Sequence, residues 1–399
     1  MVFQHWMFGS WVSLMFAAVL VALLIYARVP QVVLFLAAAG LRKRINDTDA
    51  PELGTLLAAW SEITPRNAAA APNRSRCGVT YHHWYHGFEP HAANACLAEI
   101  AALGASHLRL DIRWKDVLPN GVDIDPDAVS WYRSYLKVAK GYGLTPHVVL
   151  SNPPRVIERM KPADVLKAWN LYLQTVVSKF GDMCNSYQLM NEINSPVFRF
   201  VHRSQIVKTL ASGAAEIRKL LPDAQLSVNI IAGLPRWRQE LSRYRRELRL
   251  IVDVVAIDFY PGTWSVAILD PWREIEATLA ESCRKSDPEL PRMAIAETGY
   301  ATNLPIVRAD RQQEQYFRRL RSMLQRVEGT RAANPLAFIM LYEICDENSS
   351  MPVDPEAHFG ILGSQGFRRK QSFTEIQGFC ASFPEPGLVS SGPRSVSIL

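Results

Sequence analysis

Two glutamates stand where a carboxyl is costly unless it is used. Glu192 follows the run SYQLMN, and Glu297 closes the run RMAIAE. A carboxyl that ends an apolar strand gives up its hydration and needs a purpose or a partner. Alone, either glutamate could equally cap a helix or hold a salt bridge. Together, on strands that are not neighbours, they form a pair with a definite chemistry. One carboxyl, protonated, can give its proton to the leaving oxygen of a glycosidic bond, while the other, ionised, attacks the anomeric carbon. At about 5–5.5 Å separation the attack is direct and the sugar keeps its configuration. Each group's field acts on the other and holds a proton on the acid.

The elements that would position such a pair are legible as short apolar runs. They are CGVTY (77–81), SHLRLDI (106–112), PHVVLS (146–151), SYQLMN (186–191), QLSVNI (225–230), VDVVAIDF (252–259), RMAIAE (292–297) and LAFIMLY (336–342). They lack strict alternation, as expected of parallel strands covered on both faces. Helical patterns fall between them. HAANACLAEIAALG ends at Gly104, residues 128–140, 162–180, 310–328 and 372–380 are amphipathic, and Ser204 is placed to cap IVKTLASGAAEIRKLL before Pro222. Eight β/α units predict a (β/α)₈ TIM barrel, whose chemistry sits at the C-terminal ends of the strands. Glu192 falls after the fourth strand and Glu297 at the end of the seventh.

Other residues at strand ends could hold a sugar, with aromatics under its apolar face and polar groups at its hydroxyls. YHHWYHGF (81–88), containing His83, follows the first strand, Trp114 the second, Asn152 the third, and Trp264 the sixth. His82, His83 and His86 lack carboxylates at ligand spacing, so no metal is expected. No cofactor is implied.

These residues resemble the clan A glycoside hydrolases, which carry their catalytic glutamates on strands four and seven. The resemblance rests on Asn191-Glu192, Glu297, Tyr260 in DFYPG, and the late segment HFGILGSQGFRRKQSF. It runs over 77–380. It implies Glu192 as acid/base, Glu297 as nucleophile and Asn191 as partner of the sugar 2-hydroxyl. It further implies that Arg109 in LRLD keeps the nucleophile ionised and that Tyr260 hydrogen-bonds it. Within the clan the sequence is most similar to family 39 and its membrane-anchored relatives of exopolysaccharide operons, with family 5 second. It departs from many relatives where strand eight ends in LYEICDE rather than a tryptophan. Tyr342 is then the candidate for that subsite, with Glu343 or Asp346 contacting hydroxyls. The implied activity is retaining hydrolysis of β-glycosidic bonds, in a bacterial exopolysaccharide. Transglycosylation on the same glutamates and a non-catalytic, sugar-binding scaffold in a polysaccharide synthesis or export complex are the alternatives.

The 399-residue chain is 48% hydrophobic and 21% charged, enough for a sizeable core. Its formal charge of +6 suits an acidic partner, yet no Gly-rich phosphate loop or nucleic-acid module accompanies it. Basic residues crowd Arg236–Arg249 and Arg308–Arg331, as wet faces of amphipathic helices. The six cysteines show no zinc spacing and are expected as buried thiols. Residues 6–27 carry no charge, and 22 residues at about 1.5 Å span roughly 33 Å, so a transmembrane helix is expected ahead of the barrel. The second apolar run, QVVLFLAAAGL, is short and suits the interface. Residues 1–44 are thus assigned as a membrane anchor, 45–76 as a linker with one short helix, 77–380 as the catalytic barrel and 381–399 as a loose tail. A single-pass inner-membrane protein follows. Arg28, Arg42, Lys43 and Arg44 after the span place the domain inside by the positive-inside rule. The polysaccharide reading places it in the periplasm or outside, and that is the expectation adopted.

Overall fold

The computed structural model describes residues 49–65, 75–264, 270–284, 287–303, 309–329, 335–347 and 354–385. Strands β1 (Cys77–Thr80), β2 (His107–Asp111), β3 (Thr145–Leu150), β4 (Ser186–Leu189), β5 (Gln225–Ile231), β6 (Val254–Phe259), β7 (Arg292–Thr298) and β8 (Ile339–Leu341) pair in parallel and in sequence order. β8 closes on β1 through the register Gly78 to Met340, completing the eight-stranded barrel. The strands are buried along nearly their whole length, which is why their runs lack polar alternation.

Helix α1 (Leu53–Ser61) precedes the barrel. The outer ring comprises α2 (Pro90–Ala102), α3 (Pro126–Gly141), α4 (Pro162–Phe180), α5 (Ile206–Leu220), α6 (Trp237–Glu247), α7 (Pro271–Arg284), α8 (Ala309–Val327) and α9 (Phe373–Ala381). Proline opens α2, α3 and α4, where its fixed φ suits the first turn and its missing N–H has no partner to lose. Asp125 caps α3 by accepting from the backbone N–H groups of Asp127 and Ala128. Ser204 does not cap α5. It lies in the 3₁₀ turn Arg203–Gln205, and α5 starts after Gln205 without a side-chain cap.

Parts of the stretches assigned to linker and tail pack against the barrel. Leu53 and Trp60 of α1 are buried, and Trp60 meets the Trp131 ring edge-on at 5.4 Å. At the other end, the Arg76 N–H donates to the Phe383 carbonyl, and Phe383 is buried. The cysteines are buried free thiols. The apolar runs 6–27 and 31–41 lie outside the described residues. Among the described residues no helix is long and apolar enough to cross a membrane.

The barrel interior determines which side chains can meet. Val254, Ala256, Ala294, Ala296, Phe338 and Met340 form one apolar cluster across β6, β7 and β8. Alternation then carries Asp258 inward on β6, and Tyr260 just past its end. On β7, strict alternation from Ala294 and Ala296 would turn Glu297 outward. A β-bulge prevents this: Ile257 pairs with Ile295, but the next residue, Asp258, pairs with Glu297. The extra residue re-aims the Glu297 side chain into the barrel mouth.

Candidate active site

Glu297 is the penultimate residue of β7, 3% exposed. Arg109 projects from β2 and places Nη2 2.7 Å from Glu297 Oε1. The Tyr260 hydroxyl donates to Glu297 Oε2. A cation and a phenol O–H both favour the charged carboxylate. Burial opposes the Arg109 charge, but Glu297, Asp111 and Asp258 outweigh it and raise its pKa. Burial, then the Glu297 charge, pushes the Tyr260 phenol far up, so it remains a donor.

Glu192 follows β4 and is 5% exposed. Its backbone is left-handed, φ 47°, a conformation side chains other than glycine adopt reluctantly. Asn229 on β5 holds it there, its Oδ1 accepting the Glu192 N–H at 2.7 Å. Oxygens of Glu192 and Glu297 lie within 4.8 Å of each other. That spacing suits direct attack on one sugar ring and is shorter than the roughly 6.5–9.5 Å separation of inverting enzymes.

Asn191 Oδ1 accepts from Arg109 Nη2 at 3.1 Å, Gln188 Nε2 at 3.1 Å and Asn229 Nδ2 at 2.9 Å. With its oxygen engaged inward, its amide nitrogen is the end offered to the cavity that Asn191 lines. The same narrow cavity is lined by His82, Trp84, Tyr85, Arg109, Asp111, Asn152, Phe198, Glu297 and Tyr342. Asn152 donates to Asp111 Oδ1 at 3.1 Å, alongside Ser151 at 2.9 Å. His82 bridges two carboxyls, with Nδ1 3.0 Å from Glu343 Oε2 and Nε2 3.7 Å from Asp111 Oδ2. Burial lifts the Asp111 carboxyl to about 6 against the pull of Arg109. Tyr342 reaches the cavity from the end of β8. Gly299 makes this possible, because a Cβ there would lie 2.0 Å from the Tyr342 carbonyl.

The structure thus brings together Glu192, Glu297, Asn191, Arg109, Tyr260, Asn152, Tyr342 and Glu343. It sends two expected sugar contacts elsewhere. Trp114 is fully buried and stacks on Tyr172 at 5.2 Å with an interplanar angle of 6°. His83 is also fully buried, among Trp84, Phe88, Trp131 and Tyr132. Burial, then Arg113, drives its pKa well down, so it sits there neutral. Its neighbour His82 lines the cavity instead. Trp264 packs against Tyr260, Ala301, Tyr342 and Phe359 beside the site. Asp346, the other candidate at strand eight, pairs with Lys370 at 2.7 Å.

Gln188, Asn229 and Asp258, together with the lining residue Phe198, were not anticipated. The first three share a signal in the sequence. Each is a polar residue within a buried strand: Asp258 is the lone polar residue of VVAIDF, whereas Gln188 and Asn229 follow Ser186 and Ser227 at alternate positions of theirs. Asp258, Glu192 and Glu297 form the one group among the described residues with carboxyls this close together, and the Arg109 guanidinium supplies its countercharge.

No family model matches the chain. A 6-phospho-β-glucosidase of Clostridium longisporum is 25% identical over 133 residues, which is 31% of this chain and 26% of that protein, so the chain spans about a quarter of that relative. Among solved structures, a family 39 glycoside hydrolase from Bacteroides cellulosilyticus WH2 superposes with a TM-score of 0.59 at 18% identity, covering 78% of this chain and 64% of that one. The family 1 β-glucosidase of Thermotoga maritima gives 0.63 at 14% identity, covering 78% and 98%. The exo-β-1,4-mannosidase of Opitutaceae bacterium strain TAV5 gives 0.62 at 16%, covering 79% and 61%. Together they define the fold, a (β/α)₈ barrel. The similarity is shared among enzymes of different families and singles out none of them.

Proposed function

We propose that this protein is a retaining β-glycoside hydrolase. One observation carries the reading: carboxyl oxygens of Glu192 and Glu297 lie within 4.8 Å, with Arg109 and Tyr260 both directed at Glu297. Glu297 attacks the anomeric carbon and forms a glycosyl-enzyme, while Glu192 gives its proton to the departing oxygen. Glu192 then takes a proton from water, which attacks the same carbon and releases Glu297. Asn191 holds the 2-hydroxyl in both steps.

The substrate we propose is a polymer, a bacterial exopolysaccharide, processed by a domain tethered through the apolar run 6–27 and facing outward. This part rests on the sequence resemblance and on that run. A phosphorylated sugar, named in the Clostridium relative, is not part of the proposal. Its phosphate would need a cation at the cavity, and Arg109, which lines it, is engaged by Glu297.

The test is to incubate the protein with a panel of polysaccharides and follow products by mass spectrometry and anomeric NMR. The wild type should release fragments with retained configuration, and Glu297→Gln should release them at least 10³-fold more slowly. Equal depolymerisation by both proteins would remove the nucleophile assignment, and inverted products would remove the mechanism.

A further inference from the structure

Asp258 is a third carboxyl at the floor of the site, and two-glutamate chemistry does not call for it. It is fully buried. Its Oδ2 accepts from Asn229 Nδ2 at 2.5 Å, while its Oδ1 is buried without a hydrogen-bond partner. One oxygen each from Asp258, Glu192 and Glu297 lie within 4.8 Å of one another.

The titratable groups facing Asp258 come from four elements. They are Glu192 after β4, Glu297 on β7, Arg109 on β2, and Tyr260 just past the end of β6. Arg109 is the cation among them, and it is ion-paired to Glu297. Two like charges this close repel by several times the thermal energy even at an effective dielectric near that of a protein surface. Three carboxylates against one guanidinium therefore do not all ionise together.

We propose that Asp258 and Glu192 titrate as a coupled pair, and that Asp258 is a positioning residue that keeps Glu192 protonated to higher pH than it would be alone. This rests on the acid/base reading of Glu192. When the pair loses its first proton, the second is held jointly. Its loss would put two negative charges beside each other and beside Glu297. While one proton remains, a fraction of the molecules carries it on Glu192 and stays competent. Burial first, then the charges of Glu297 and Glu192, pushes the Asp258 carboxyl well above the usual range, in keeping with this. Asn229 ties the two groups into one support, because the same amide accepts from the Glu192 N–H and donates to Asp258.

The coupling is measured from both sides, because it is reciprocal. In the full chain labelled with ¹³C at aspartate carboxyls, the Asp258 resonance should titrate above the ordinary range, alongside that of Asp111, and Glu192→Gln should lower the Asp258 midpoint by a pH unit or more. Asp258→Asn should delete that resonance. In kinetics on a phenyl β-glycoside, Asp258→Asn should move the alkaline limb of kcat/KM down by about one unit and reduce it to a single ionisation. No aspartate midpoint moving in Glu192→Gln overturns the proposal, as does an alkaline limb in Asp258→Asn that overlays the wild type. The NMR arm needs no turnover. Coupling seen in an enzyme that cleaves nothing would sustain the pair and overturn the hydrolase reading instead.

Discussion

Arg109 Nη2 lies 2.7 Å from Glu297 Oε1, and the same nitrogen also donates to Asn191. One planar fork thus sets both the nucleophile and the proposed partner of the sugar 2-hydroxyl, and its Nε fastens to Gln188 on β4. Lysine keeps the charge but cannot reproduce several fixed directions at once. Arg109→Lys should therefore fold, yet lose on the order of 10²–10³ in kcat/KM, comparable to removing one preorganised donor. Arg109→Met should instead unfold more easily, by about 3–5 kcal/mol, because it strands a buried carboxylate. Steady-state kinetics and denaturant unfolding separate the two. A lysine variant with wild-type turnover would show that charge alone suffices.

Asp111 predicts a pH dependence of stability. Burial raises its carboxyl to about 6 in the folded protein, from an ordinary 3.8. A raised folded pKa means the native state keeps a proton that the unfolded chain has lost. That stabilisation is full below about pH 4 and is lost as pH rises through about 6. The roughly two-unit rise corresponds to about 3 kcal/mol. Asp111→Asn never ionises, so relative to the wild type it should be more stable at pH 8 than at pH 4 by up to that amount. His83, and His147, whose pKa burial lowers to about 3, work in the opposite direction. Both are common to the two proteins and cancel in the comparison. Urea unfolding at the two pH values measures it, and a constant difference would rule out Asp111 as the titrating group.

The barrel was legible because parallel strands buried on both faces leave short, unbroken apolar runs. Residues such as Val254 to Phe259 carry that pattern whatever their neighbours. The two glutamates were legible for the opposite reason, being charges at the ends of such runs. How Glu297 comes to face inward was not, since it depends on a bulge between β6 and β7 that leaves no residue signature. His82 and His83 show the same limit at one-residue resolution. His82, just before the 3₁₀ turn His83–His86 that follows β1, faces the cavity, and His83, the turn's first residue, goes into the aromatic core. The helix at 53–61 was visible but its docking was not, because Trp60 finds its partners, Trp131 and Tyr135, more than 70 positions away.

Trp114 tests the distinction between core and platform. It follows a barrel strand, where a sugar-stacking tryptophan would be placed, but its ring is sandwiched by Tyr172, Trp169 and Phe200. Trp114→Ala should cost about 3–5 kcal/mol through the cavity it opens. Trp114→Phe should cost far less. It retains an aromatic ring and removes an indole N–H that is buried without a hydrogen-bond partner. If the ring is core, Trp114→Phe leaves KM for an oligosaccharide unchanged, while alanine at the cavity-lining Tyr85 raises it. A Trp114→Phe enzyme with normal stability and a tenfold higher KM would return the ring to the sugar site. That would require the turn Trp114–Val117 to open away from Tyr172, which backbone bonds from Trp114 to Ser151 and from Lys115 to Asn152 oppose.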